Sequence, residues 1–366
     1  MPKNVLKNLC CLTIPGALFT FLLLELCFRV VIRASEPPYA YFDPKEQLLR
    51  YDPRKTRTGI CTVGSLGRHP ARWRINNLGW NSLVDFRIEG RTKPLIALIG
   101  DSFIEGFNVD AGHSVSDILR GHLEDRYDVY GFGLGGANLA QYLQMSRYVN
   151  RVFAPQLLIV NMIHNDFDDL FKEHSRVGML SLEGQATGVF REAAIVPYVP
   201  NRFKRMARVS SVFRYLVLNL SYDLGRWRRR IPPAAQDRAQ AHVDAESLDS
   251  QQTQIIHAVE YLFQKLQEEN RERSVIVVMD GPRRDIYADT VEASPVRWMN
   301  DVVRQQCQRH QFHFIDMTAP FQDRFRRDGK KFEFDEDYHW NQLGHRVVAE
   351  ELLGYVQRAR LLRPHG

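Results

Sequence analysis

The side chains most able to do chemistry in this chain are a serine and a histidine that lie far apart in the sequence. Ser102 comes shortly after the apolar run at residues 95–99, and His339 lies in an acidic segment with Asp337 and Glu336 just before it. A serine hydroxyl is a poor nucleophile until a base removes its proton, and a carboxylate orients that base. These are the residue types that a serine nucleophile, its base and an orienting acid require, although an acid-rich loop with a histidine is, taken alone, most often a solvated turn.

Three apolar runs of strand length are expected to position these side chains. One precedes Ser102, one at residues 127–132 leads into the glycine-rich loop 133–138, and one at residues 156–163 ends just before Asn165. The carboxyl ends of parallel strands meet at one edge of a sheet, where ligands bind. Taken singly, each loop is better explained by turn formation and helix capping than by catalysis.

In their order along the chain, the four segments resemble the SGNH (GDSL) hydrolase family. The resemblance begins near residue 94 and runs to the C-terminus. It implies that Ser102, in Gly-Asp-Ser, is the nucleophile and that His339 is the base. It also implies an oxyanion hole built from the backbone amides of Ser102 and Gly133 and the side-chain amide of Asn165.

The chain departs from the family pattern at two positions. Ile163 stands where the family usually has a glycine, two places before Asn165. Glu336 occupies the usual position of the catalytic aspartate, whereas Asp337 gives an Asp-x-His spacing similar to that of members associated with O-acetylation of polysaccharides. We favour Asp337 as the residue that orients His339 and keep Glu336 as the alternative acid.

The alternation of predicted strands and helices indicates an α/β fold, a three-layer α/β/α sandwich with a parallel sheet. The resemblance implies the flavodoxin-like SGNH hydrolase fold. We expect a membrane anchor at residues 1–33 and an appendage or stalk at residues 34–93. A catalytic domain is expected at residues 94–366, with an insertion at about 167–250.

An uncharged apolar run at residues 9–24 predicts an N-terminal transmembrane helix. Glu25 opposes burial in hydrocarbon, but it stands four residues before Arg29 and can pair with it near the interface. A cleaved signal peptide is the rival interpretation, and the absence of an Ala-x-Ala site favours the anchor. We expect a single-pass protein whose catalytic domain lies on the extracytoplasmic side, mainly because of the family resemblance.

Within the insertion, residues 210–220 are apolar enough for a helix that is either a buried lid or lies at a membrane interface. Basic clusters at residues 201–206 and 226–230 bracket it. A tryptophan in the second cluster suits a headgroup region.

The net charge of +6 and the pI of about 9.0 suit either nucleic acid or an anionic membrane. The sequence has no zinc-ligand spacing, phosphate loop or nucleic-acid signature, so we expect a membrane partner, no nucleic acid, no metal and no cofactor. The expected function is an ester hydrolase acting on a cell-envelope carbohydrate or lipid ester, including O-acylated glycans. An O-acyltransferase with the same Ser-His site and a catalytically inactive glycan-binding domain are the alternatives.

Overall fold

A computed structural model describes most of the chain. The described residues are 7–167, 170–171, 176–184, 189–200, 208–220, 239–240 and 243–362, with only the backbone described from 239 to 250. The basic clusters at 201–206 and 226–230 lie outside these residues. The predicted insertion is therefore described only in part, and the domain boundaries stay predictions.

The N-terminal part of the described chain is a long helix followed by two antiparallel hairpins. The elements are helix α1 (Leu9–Val30) and strands β1 (Ala40–Asp43), β2 (Leu48–Tyr51), β3 (Thr58–Val63) and β4 (Arg68–Arg74), paired β1 with β2 and β3 with β4. Residues that follow the hairpins pack on the central sheet. The Trp80 ring lies 5.3 Å from the Phe132 ring, and Phe86 stacks on Tyr130 at 4.1 Å.

A five-stranded parallel sheet forms the centre of the molecule. Its strands are β5 (Leu95–Gly100), β6 (Asp128–Gly133), β7 (Leu157–Met162), β12 (Ser274–Met279) and β13 (His313–Asp316), in the spatial order β13-β12-β7-β5-β6. Strand β6 lies on one side of β5, whereas β7, β12 and β13 are added in turn on the other side. The order in which strands are added therefore changes side at β5, although all of them run parallel. Loops diverge at such a switch point and leave a crevice at the carboxyl edge.

Every residue of β5 is buried, because helices cover both faces of the sheet. Ala97 and Ile99 belong to one hydrophobic core, whereas Ile96 and Leu98 belong to the other. Since side chains alternate along a strand, one apolar run supplies both cores. The predicted three-layer α/β/α sandwich with a parallel sheet is confirmed.

The remaining described elements are two short hairpins and the helices. They are α2 (Ser102–Glu105), α3 (Val115–Leu123), α4 (Leu139–Phe153), β8 (Leu182–Gly184), β9 (Phe190–Glu192), α5 (Ser211–Leu220), β10 (Ala239–Gln240), β11 (Val243–Asp244), α6 (Ala245–Glu269), α7 (Arg283–Ala288), α8 (Arg297–His310), α9 (Thr318–Asp328) and α10 (Gln342–Arg358), with short 3-10 turns at His164–Phe167 and Val291–Ala293. Side chains of α4, α6 and α8 enter the first core, and those of α3, α9 and α10 the second.

Helix α1 has 22 residues and is long and apolar enough to cross a membrane. At 1.5 Å per residue it spans about 33 Å, close to the thickness of a bilayer core. A signal sequence near an N-terminus has the same length and composition. None of the most apolar stretch of this helix is buried within the protein, so its side chains are available to lipid.

Glu25 ties α1 to helix α5. Its carboxylate accepts hydrogen bonds from the amides of Ser211 (2.8 Å) and Val212 (3.1 Å) and from the hydroxyl of Ser210 (2.8 Å). These amides are the free donors at the start of α5, and a carboxylate there also favours the helix dipole. The Glu25 carboxylate, whose charge argues against a membrane helix in the sequence, therefore caps a second helix. It also pairs with Arg29 at 2.8 Å, as expected.

Candidate active site

Ser102 lies where β5 ends and α2 begins. The Asp101 carboxylate accepts from the amide of Phe103 at 3.0 Å, so Asp101 caps the short helix as the capping alternative predicts. Ser102 itself is half-buried and its hydroxyl is directed at a different group. Capping and chemistry are thus divided between two neighbouring residues.

Ser102, His339 and Asp337 form a continuous hydrogen-bonded path. Ser102 Oγ is 2.8 Å from His339 Nε2, and His339 Nδ1 is 2.6 Å from Asp337 Oδ1. Since a carboxylate only accepts, the imidazole proton belongs on Nδ1, and Nε2 is left as the acceptor for the serine hydroxyl. This arrangement matches the geometry that a nucleophile, a base and an orienting acid require.

Glu336 points to another partner. Its carboxylate is 2.5 Å from Arg68 Nη1 and 3.4 Å from His69 Nε2, both on strand β4. Burial alone would raise the pKa of Glu336, but the hydrogen bond from Arg68, a backbone hydrogen bond and the charges of Arg68 and His69 together outweigh burial and lower that pKa. Of the two candidate acids, only Asp337 contacts His339 in the described structure.

Asp337 is buried and held from two sides. The His339 amide donates to Oδ1 at 3.2 Å, and the Asn108 side-chain amide donates to Oδ2 at 2.7 Å. Burial tends to lower the pKa of His339, but the Asp337 charge and hydrogen bond outweigh burial, so that this pKa is raised. The imidazolium that forms when His339 takes a proton is thereby stabilised.

A second carboxylate also faces the serine hydroxyl. Asp101 Oδ2 lies 3.3 Å from Ser102 Oγ. Asp101 is buried, and burial raises the pKa of its carboxyl to about 6. Its charge adds to that of Asp337 in raising the pKa of His339. The site therefore holds three titratable groups within one network, and its pH response belongs to the network.

The loop that carries His339 is clamped by a buried arginine. Arg283, at the start of α7, donates to the carbonyl of Tyr338 (2.9 Å), to Glu333 (3.0 Å) and to Asp280 (3.2 Å). Its side chain is only 6% exposed, so that these three acceptors replace water. The carbonyl that it holds directly precedes His339, which makes Arg283 a positioning residue for the imidazole.

Gly133 ends strand β6 against the first turn after the nucleophile. A Cβ at this position would lie 2.0 Å from the Glu105 amide nitrogen, so only glycine fits without a shift of the backbone. The Leu134 amide donates to the carbonyl of Gly100 at 3.1 Å, which fixes the strand end beside the start of the nucleophile turn. A close backbone approach explains this glycine, and its predicted oxyanion role stays a prediction.

Glu105 links that turn to the glycine loop and the N-terminal hairpins. It accepts from the Tyr51 hydroxyl (2.5 Å) and the Gly135 amide (3.0 Å), while its own carbonyl accepts from the Asn81 side chain (2.7 Å). Burial raises the pKa of Glu105 to about 7, and the two hydrogen bonds oppose that rise. Residues before 94 therefore brace the turn that holds the nucleophile.

Asn165 lies in the short 3-10 turn after β7, at the same edge of the sheet as Ser102. It is half-buried, and its Oδ1 atom is buried with no hydrogen-bond partner among the described residues. Ile163 lies in the hydrophobic core and its amide donates to Asp166 at 2.7 Å. The isoleucine that stands in place of the usual glycine thus packs inward, directly before the turn that carries Asn165.

His164, between these two residues, has a structural explanation. It is buried, with Nε2 2.9 Å from Asn300 Oδ1, and burial lowers its pKa to about 4. The described residues contain no group of three or more histidine, cysteine or acidic side chains that could hold a metal ion. The hydroxyl, imidazole and carboxylate that meet at this edge of the sheet are the groups that nucleophilic and acid-base chemistry uses.

Comparison with known protein families identifies the family of this chain. The family model described as GDSL-like lipase/acylhydrolase matches residues 96–352. No curated protein sequence matches the chain.

Several solved structures are similar to the chain at low sequence identity. An acetyl xylan esterase, AlAXEase, shares 14% identity with a TM-score of 0.40, covering 72% of this chain and 99% of its own. A lipolytic protein of the G-D-S-L family from Veillonella parvula shares 12% with a TM-score of 0.39, covering 72% and 98%. TesA shares 11% with a TM-score of 0.38, covering 73% and 99%.

Proposed function

Because the chain belongs to the GDSL-like lipase/acylhydrolase family, we propose that it is a serine-dependent hydrolase of acyl esters in cell-envelope carbohydrates or lipids. The observation that carries the proposal is the path from Ser102 Oγ to His339 (2.8 Å) and on to Asp337 (2.6 Å). A serine that only capped a helix would not need a histidine whose other nitrogen is fixed by a buried carboxylate.

In the proposed reaction, His339 Nε2 takes the Ser102 proton as Oγ bonds to the ester carbonyl carbon. The carbonyl oxygen becomes an oxyanion, for which the Ser102 and Gly133 amides and the Asn165 side chain are the predicted donors. When the ester C–O bond breaks, His339 returns the proton to the departing alcohol. Water then attacks the acyl serine with His339 as base, which releases the acid and restores Ser102.

The envelope assignment is supported by α1, whose exposed apolar side chains suit a membrane. We place the catalytic domain on the extracytoplasmic side, where acylated glycans and lipids of the envelope are accessible. A C-terminal tag on the full chain tests this topology in intact cells. We expect added protease to remove the tag, and a tag that is protected until the cells are lysed would contradict the assignment.

Acyl transfer to a sugar hydroxyl is the second candidate, and the Asp-x-His spacing of Asp337 and His339 favours it. Hydrolysis and transfer share the acyl serine and differ only in whether water or a hydroxyl attacks it. Mass spectrometry of acetylated glycans, incubated with and without an acceptor sugar, separates the two. The third candidate, a glycan-binding domain without turnover, predicts no acyl serine at all.

The decisive experiment is labelling of the purified protein with a fluorophosphonate, together with turnover of p-nitrophenyl acetate. We expect wild type to label and turn over, and Ser102→Ala and His339→Ala to lose turnover. His122→Ala is the matched control, because His122 is exposed on α3 and belongs to none of the segments that form the site. No labelling, or turnover that survives both site substitutions, would refute the mechanism.

A further inference from the structure

A cavity of about 310 Å³ lies where α1 ends and meets the rest of the protein. Its wall includes Arg29 and Arg33 from the end of the apolar helix, Ile60 of β3 and Arg214 of α5. The volume is at the small end of the range for ligand pockets. This cavity is separate from the residues of the candidate active site.

The cavity is lined by more positive than negative charge. Three arginines face one carboxylate, Glu36, which is 3.5 Å from Arg214. Arg29 is paired with Glu25, whereas Arg33 has no carboxylate partner among the described residues. The lining thus favours an anionic ligand.

Arg214 contributes a mostly buried guanidinium to this lining. Its side chain is 13% exposed, and its Nη atoms donate to the Arg208 carbonyl (2.8 Å) and the Ser211 hydroxyl (3.0 Å). The Nε atom is buried with no hydrogen-bond partner among the described residues. The guanidinium of Arg214 therefore keeps a donor without a described acceptor and adds its charge to those of Arg29 and Arg33 in the cavity wall.

Exposed apolar side chains adjoin the cavity. Phe28 stacks on Tyr215 with ring centroids 3.8 Å apart, which brings α1 and α5 side by side. Phe213, Leu216 and Val217 of α5 are 41–52% exposed. Most side chains of α1 are exposed as well, apart from the partly buried Glu25, Cys27 and Phe28. Helix α5 is therefore apolar on its outer side as well as next to the anchor, which suits an interfacial position.

We propose that this cavity binds the phosphate headgroup of an anionic phospholipid, whose acyl chains lie against α1 and α5. The location accounts for both halves of such a ligand, because the arginines stand at the end of the apolar run and the hydrocarbon-facing side chains lie beside them. Bound lipid would contact both the anchor and α5. Helix α5 is in turn held to strand β3, because Asn219 of α5 donates to Thr62 Oγ1 at 3.0 Å. The lipid would thus set how the catalytic domain sits on the membrane.

The test uses the full chain in nanodiscs of phosphatidylcholine with and without phosphatidylglycerol, with retained lipid measured by native mass spectrometry. We expect preferential retention of phosphatidylglycerol. Arg33→Gln removes an exposed cation and should weaken that preference about fivefold, the usual contribution of one basic residue at an anionic surface. Arg214→Gln should weaken it as well, but Arg33→Gln keeps the test valid if the Arg214 variant does not fold.

Arg326→Gln is the matched control, since Arg326 is 65% exposed on α9 and outside the cavity. Equal retention of the two lipids by wild type, or an equal loss in the Arg326 and Arg33 variants, would overturn the proposal. Competition with inorganic phosphate separates the two sources of the anion. Displacement of the lipid by millimolar phosphate would indicate a free-phosphate site and would also overturn it.

Discussion

Replacement of each candidate acid by its amide tests most directly how His339 is oriented. Asp337→Asn removes the charge 2.6 Å from His339 Nδ1, whereas Glu336→Gln removes a charge that is paired with Arg68. Both substitutions keep the size and shape of the side chain, so differences in activity report on charge and proton position.

The expected loss for Asp337→Asn has a lower and an upper bound. A hydrogen bond to a charged group contributes about 1.5–3 kcal/mol, which corresponds to a loss of about 10- to 160-fold in turnover. If the asparagine amide also turns toward Nδ1, the proton moves to Nε2, and His339 can no longer accept from Ser102. In serine proteases that change costs about 10⁴-fold.

Glu336→Gln should keep turnover within about threefold of wild type, because the Arg68 pair is partly exposed and such pairs contribute little. The assay is kcat/KM for p-nitrophenyl acetate, with circular dichroism to verify that both variants fold. A loss in Glu336→Gln as large as that in Asp337→Asn would refute the assignment of Asp337.

Three further predictions follow from the site. Only the neutral imidazole of His339 accepts a proton, so the raised pKa of His339 should place the acid limb of the pH profile of kcat/KM above the ordinary histidine value of about 6.5. Asp337→Asn should move that limb to lower pH. Arg283→Met should lower the free energy of unfolding by about 3–5 kcal/mol in urea titration, because it leaves the buried carboxylate of Asp280 and the mostly buried carboxylate of Glu333 without their shared cation. An unchanged midpoint would contradict the clamp. Gly133→Ala should lower the free energy of unfolding by about 1–3 kcal/mol or more in the same titration. Gly121 lies in a helix with open space where a Cβ would be, so Gly121→Ala should leave that free energy unchanged or raise it. Equal midpoints for the two variants would argue against the close approach of Glu105 to Gly133.

Much of the fold and part of the site could be predicted from the sequence. The run before Ser102 is apolar at every position, which is typical of a strand covered on both faces, and the structure buries all of β5. Ser102 and His339 could be paired because the nucleophile, base and acid are residue types that acyl transfer requires. Their contact across the fold could not be measured from spacing, and the structure places Oγ and Nε2 2.8 Å apart.

The choice between the acids depended on long-range contacts. Asp337 and Glu336 are equally able to reach a histidine from one short loop, and what separates them is Arg68, which lies in a distant hairpin and binds Glu336. Asn108, which holds Asp337, and Arg283, which holds the Tyr338 carbonyl, carry no sequence signal of these roles. Such partners are brought together only by the packing of elements far apart in the chain.

The carboxylate of Glu25 changes how the N-terminal helix should be regarded. A membrane anchor is often an interchangeable tether, which can be exchanged for another apolar helix or removed to obtain a soluble enzyme. Here the side chain that caps α5 comes from within α1, the helix that we propose as the anchor. Removal of the first 33 residues would leave two amides and a hydroxyl without their acceptor and would uncover Tyr215, which stacks on Phe28. The helix is therefore part of the folded unit, and an engineered replacement would have to retain its final two turns.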